Sequence, residues 1–388
     1  MRIRKREDIP YLSTANRDCD ETKLAVGRCG RMCFCRNTVQ LCSITEVPTW
    51  AQRPHILNGY RPNLSFWQCL VSLFSCHNET GNIWTHLIGA IIVASLGFKK
   101  CMDADLPSPR PFAAELLGNE LHVRLTFVFA AVVCLGVSAV YHTGNCTHNE
   151  ACCIALLRAD TSGIAILIAA SFLPGVYLGF ACFPSLQTTY LGVVAVLLVL
   201  GLAVSFADCF DSNLPKEDGS TSGIAESDIK ESEAALVRPP SERPPSAPRV
   251  NLSPRLLRKA MIQQVRIMTF SCFVALGFAV ALHWCYMVSP QARSKYVSRI
   301  GSMLGSYALG FFFYASHYPE RWWPGRFDFW LHSHQLWHCC VVMAVIIWWY
   351  ACETLVDELG QSGCHGFITI QGTPRESIVG LRAGNTKQ

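Results

Sequence analysis

Two histidines four residues apart, His334 and His338 in LHSHQLWH, project from one face of a helix, one turn above the other. That is the separation with which a helix supplies two ligands to one metal ion. HxxxH alone is explained as well by two polar side chains hydrogen-bonded inside a bundle, so further donors are needed. SAVYHTG carries His142 with Ser138 one turn before it, and LLRADTSG carries Asp160 in an otherwise apolar run. An aspartate inside a membrane span costs about 2.5 to 3.5 kcal/mol on insertion scales unless it faces a partner or a water-filled cavity, so Asp160 requires a reason. Imidazoles from two helices make three nitrogen ligands, and tetrahedral zinc with three protein ligands leaves its fourth position to water, the catalytic pattern rather than the structural one. Asp160 then stands as an acceptor beside that water, or as a base. His332, two residues from His334, faces elsewhere; His86, His148, His283 and His317 show no such convergence and are read as structural.

The elements that must position these residues are membrane spans. The chain of 388 residues is 51% hydrophobic and 16% charged, against roughly 25% charged in soluble domains, and its mean hydropathy is +0.25. A net charge of +5, spread along the chain, gives no case for nucleic acid. Uncharged apolar runs predict seven helices: Ile83 to Phe98, Leu125 to Tyr141, about Ala151 to Phe180 interrupted by Arg158 and Asp160, Leu186 to Ala207, Ile267 to Val288, Ile300 to Ser316, and Phe329 to Ala351. The fold class is thus an all-α integral membrane protein, a seven-helix bundle spanning residues 81–351. A polar tail, 1–80, precedes it; MRIRKRED leads into no apolar segment, so the first span serves as its own signal. Between the fourth and fifth helices lies 208–259, rich in Ser, Glu and Pro, read as a disordered loop. Residues 352–388 form a C-terminal tail.

Orientation follows from Lys and Arg. The N-terminal tail with loops two, four and six holds 23 basic residues, the other segments 10, which places the N-terminus in the cytosol. The second span then ends on the cytosolic side at His142, while the third and seventh start there and reach Asp160 and the His334/His338 pair after about two turns, at similar depth. The sequons at Asn63, Asn78, Asn145 and Asn251 fall in cytosolic segments and stay unmodified. Of 20 cysteines, Cys29, Cys33, Cys35 and Cys42 lie in the tail, where free or acylated thiols are the default and the spacing is not that of a zinc finger. Most of the others sit in spans as small apolar residues.

The segments GYRPNLSFWQCLVSLFSCHNETGNIWTHLIGA, SAVYH, LLRADTSGIAILIAASFLPGVY and YPERWWPGRFDFWLHSHQLWH resemble the progestin and adipoQ receptor family, which includes the adiponectin receptors and is related to haemolysin III. The run from Pro319 to His338 is most similar to the branch called member four. The resemblance implies seven helices, a cytosolic N-terminus and a zinc near the cytosolic face, held by His142, His334 and His338 with Asp160 beside its water; Ser138 matches the family's serine. The sequence departs from the pattern in its longer fourth loop, in Thr161 where the adiponectin receptors have tyrosine, and in its cysteine-rich tail. These departures leave the zinc site intact and bear on ligand and partner.

Two functions follow as expectations. In one, the protein is a zinc-dependent lipid amide hydrolase: the family is similar to alkaline ceramidases in this constellation, which makes a ceramide-like membrane lipid the substrate. In the other it is a signalling receptor or scaffold whose zinc is structural, with cytosolic partners bound through the tail and the Pro-rich RPPSERPPSAPR, itself an ordinary linker by composition. Golgi or plasma membrane is the expected location.

Overall fold

The computed structural model describes residues 40–48, 51–104, 119–207 and 254–367. The tail cysteines Cys29, Cys33 and Cys35, the segment 208–253 and the residues after 367 lie outside the described residues. A two-stranded antiparallel ribbon, β1 (Cys42–Ser43) with β2 (Asn58–Tyr60), leads into a short helix, α1 (Phe66–Ser72). Among the described residues seven longer helices follow: α2 (Thr80–Ala104), α3 (Glu120–Gly144), α4 (Glu150–Gly179), α5 (Pro184–Ala207), α6 (Pro254–Met287), α7 (Pro290–Ser316) and α8 (Ser333–Phe367).

Six of these, α2 to α6 and α8, are long and apolar enough to cross a membrane. Helix α7 falls short because its first turns carry Arg293, Lys295 and Arg299, and its apolar part from Ile300 onward is diluted by Gly and Ser. Two of those cations are committed to α8: Lys295 pairs with Glu358 at 2.7 Å, and Arg299 donates to the Thr354 hydroxyl at 2.6 Å.

Local chemistry sets where helices start. Asn149 caps α4 by accepting from the Cys152 N–H at 3.2 Å, and Ser289 caps α7 ahead of Pro290. The last helix begins at Ser333 rather than at Phe329, because the backbone turns through positive φ at Leu331 (63°). Buried Glu320 then accepts from both the N–H (2.7 Å) and the hydroxyl of Ser333. Asp328 ties the same loop to the ribbon, accepting from the backbone N–H groups of Leu57 and Asn58 at 3.0 and 2.9 Å.

Three apolar clusters hold the bundle, the smallest of them Ala169, Val194 and Phe273 of α4, α5 and α6. Phe127, Leu135, Leu167, Val341 and Val345 join α3, α4 and α8, and Val176, Trp284, Tyr296 and Leu359 join α4, α6, α7 and α8. Lipid is as apolar as these side chains, so close approach matters more than burial: a Cβ on Gly163 of α4 would stand 3.2 Å from the Cys134 Cα of α3. Large apolar residues such as Ile91, Phe129, Val196 and Phe311 face outward, as a membrane-embedded surface does. At the far end of α3 from His142, buried Arg124 pairs with Glu120 at 3.0 Å and with Glu353 of α8. A disulfide that the sequence did not reveal, Cys182–Cys364, joins the α4–α5 connection to the end of α8.

Candidate metal centre

The C-terminal turn of α3 and the N-terminal turns of α8 meet at one end of the bundle. There His142, His334 and His338 each present a ring nitrogen, all within 4.8 Å of one another, a group that could hold a metal ion. His142 and His338 are buried, and His334 is partly accessible. The Nε2 atoms of His142 and His334 are 3.3 Å apart.

What orients the rings is as informative as the rings. His142 Nδ1 lies 2.7 Å from Glu79 Oε2, and His338 Nδ1 lies 3.1 Å from the Asn82 carbonyl oxygen. In neutral rings those protons sit on Nδ1 and leave Nε2 of both as a lone pair, the tautomer selection found around metal-bound histidines. Glu79 is itself fixed by Asn82 (2.5 Å), Asn145 (2.8 Å) and Arg53 (3.4 Å). Burial pushes its pKa up, but the charge of Arg53 and the hydrogen bonds from His142 and Asn82 outweigh it and hold the carboxyl well below the usual range. Its backbone is set by His77, whose Nδ1 accepts from the Glu79 N–H at 3.1 Å. Arg61 donates to the carbonyl oxygens of His142 (2.7 Å) and Thr143 (2.9 Å), closing the last turn of α3.

Asp160 lies about three turns into α4, partly buried, deeper than the two turns expected, because α4 starts from its cap at Asn149. The Ser138 hydroxyl hydrogen-bonds its carboxyl. His334 and His338 lie in the first turns of α8, shallower than expected, since the helix starts four residues late. Thr161 turns back to its own helix, bonding the Leu157 carbonyl at 2.9 Å. His332 precedes α8 and bonds the Asn78 carbonyl at 3.1 Å, away from the cluster.

Sequence reasoning missed two residues. Glu79, in CHNETG, is an acid at the edge of an apolar run, the signal that drew attention to Asp160. His86 was read as structural, yet its ring stacks on His338 with centroids 3.6 Å apart and planes 7° from parallel. Neither of its nitrogens has a hydrogen-bond partner among the described residues, and only 5% of the residue is exposed.

Apolar helices gathered around three converging imidazoles define a multi-pass membrane protein with a candidate metal centre. The chain belongs to the haemolysin-III related family, whose model matches residues 74–349, the family of the progestin and adipoQ receptors. It is 33% identical over 315 residues to the adiponectin receptor protein of Drosophila melanogaster and 31% identical over 312 residues to the progestin and adipoQ receptor-like protein 1 of Caenorhabditis elegans. Each match covers 79% of this chain and 58% of the relative, so the chain spans little more than half the length of those two proteins. With the progestin and adipoQ receptor family member 3 of Mus musculus it shares 27% identity over 328 residues, covering 84% of this chain and 88% of that one.

Proposed function

We propose that this chain is a zinc-dependent lipid amide hydrolase of seven transmembrane helices, ceramidase-like and linked to sphingolipid signalling. The observation that carries the reading is the convergence of three imidazole nitrogens with a serine-held carboxyl alongside. Zinc suits the donors: two nitrogens about 2.0 to 2.1 Å from one tetrahedral ion stand about 3.3 Å apart, which matches His142 and His334. His142, His334 and His338 would hold the ion, which when bound supplies a Lewis acid that polarises a carbonyl and acidifies water.

The remaining work falls to the chain. Glu79 and the Asn82 carbonyl keep the rings of His142 and His338 turned toward the site. Ser138 orients the Asp160 carboxylate, which takes the proton of the attacking water and returns it to the departing amine nitrogen. Burial of His142 and His338 excludes bulk water, while the partial exposure of His334 and Asp160 leaves one side of the site open to a lipid head. Helix α7 is the seventh crossing. A cytosolic N-terminus puts the metal site at the cytosolic face; the disulfide at the opposite end supports this, because disulfides persist in lumenal or extracellular surroundings. Golgi or plasma membrane fits both.

The names of the relatives favour a second reading, a signalling receptor in which zinc fixes the bundle and the N-terminal tail and Pro-rich loop engage cytosolic proteins. Full-length protein reconstituted in lipid separates the two. A hydrolase releases sphingoid base and fatty acid from ceramide, stops when a chelator strips the metal, and resumes when zinc is restored; a receptor releases neither under any of these conditions.

A further inference from the structure

The thiols of Cys69, on α1, and Cys146, in the α3–α4 connection, are 3.5 Å apart, and both residues are buried. Their two segments are pinned together: the Leu64 N–H donates to the Cys146 carbonyl at 2.9 Å, and Leu64 pairs with Thr147 in a parallel bridge. Neighbouring Arg61 reaches from this junction to Ser72 of α1 at 2.8 Å and to Asn145 at 2.9 Å. Cys146 also lines a cavity of about 30 Å³ with Arg53, Arg61 and Tyr141, room for about two waters, so a small polar molecule has a place on the Cys146 side of the pair.

We propose that Cys69 and Cys146 are a reversible oxidation site, which takes a small hydroperoxide as co-reactant and closes to an intramolecular disulfide. The Cys69 sulfur attacks the peroxide, the O–O bond breaks, and Cys69 becomes a sulfenic acid as the peroxide's remainder leaves as alcohol or water. The Cys146 sulfur then attacks the Cys69 sulfur, the S–S bond forms, the S–O bond breaks, and water departs with the thiol proton. Two thiols are thereby oxidised and one peroxide reduced by the same two electrons. The order follows from the environment of each sulfur. The hydrogen bond from Cys146 lowers the Cys69 thiol most, burial opposes it, and the Arg61 charge helps bring it down to about 7; the same hydrogen bond and burial push Cys146 up.

Closure from 3.5 Å to a bond of about 2.05 Å draws the sulfurs together by about 1.5 Å. The new bond would tie α1 to the segment whose Asn145 holds Glu79, the carboxylate on His142. The site stands whether or not the chain hydrolyses lipid.

The test uses full-length protein in lipid nanodiscs, oxidised with hydrogen peroxide, alkylated, digested and mapped by mass spectrometry. The expected result is a linked peptide pair joining Cys69 to Cys146, two hydrogens lighter than the reduced pair and restored to free thiols by dithiothreitol. In Cys146→Ala a sulfenic acid trapped by dimedone accumulates on Cys69, while Cys69→Ala leaves Cys146 alkylatable. The proposal is overturned if both thiols of the wild type stay alkylatable at peroxide levels that oxidise exposed Cys101 and Cys152. It is equally overturned if Cys69 runs on to sulfinic acid with no link to Cys146.

Discussion

Two of the three imidazoles have distinct holders, Glu79 for His142 and the Asn82 carbonyl for His338, and that makes the site testable one side chain at a time. His334→Ala and His338→Ala each remove a ligand atom from the group within 4.8 Å. On the proposed zinc reading, purified protein should then lose the metal together with folding free energy. His332→Ala removes a ring that faces the Asn78 carbonyl, and should keep the metal; elemental analysis of the three variants decides the matter. Glu79→Gln tests the orienting carboxylate. Its neutral amide still reaches His142 Nδ1 but no longer carries the charge, and loss of such a partner typically weakens metal affinity by about 10- to 100-fold. A competition titration with a zinc chelator reads that shift, and an unchanged affinity would mean that Glu79 serves only the packing of the α2 terminus.

At the scale of elements, the loop before α8 is what carries two of the candidate ligands, His334 and His338, into place. Buried Glu320 holds the first residue of α8 at two points, and Glu320→Ala leaves a buried N–H and hydroxyl without their acceptor, a loss of about 1 to 3 kcal/mol for each such group. The variant should unfold at a clearly lower temperature and release zinc sooner than the wild type on heating, in a thermal scan that follows both signals. The same elements show how far sequence reasoning reaches. The His334/His338 face is a local property of helix spacing, and its meeting with His142 follows from alternating helices, so both were legible. The start of α8 was not: residues 329–332 are as apolar as a helix interior, and only a positive φ at Leu331 and a cap supplied from Glu320 stop the helix short. Glu79 carried a local signal as an acid at the edge of an apolar run, but its partner His142 lies 63 residues away, a contact that no local pattern encodes. Cys182–Cys364 spans 182 residues and is hidden for the same reason. The apolar run Ile300–Ser316 gave no sign that the charged turns before it belong to the same helix, where Lys295 and Arg299 reach α8.

The described helix bundle is polarised along its axis, with the histidine cluster at one end and the Arg124 ion group and the disulfide at the other. An epitope after Gln388 should therefore be reachable by antibody from the lumenal or extracellular side, and one near Ser220 only after permeabilisation. Signals in the reverse order would turn the metal site to the outer face. The most direct measurement of the central claim compares wild-type protein with Asp160→Asn, both zinc-loaded and reconstituted in lipid with ceramide. Asn keeps the hydrogen bond to Ser138 while removing the group that moves the proton. General acid–base groups contribute about 10² to 10⁴ in rate, so release of sphingoid base and fatty acid should fall by that order with zinc content and thermal stability unchanged. Equal turnover in the two proteins, or none above background in the wild type, would contradict the account and leave the three histidines as the framework of a receptor.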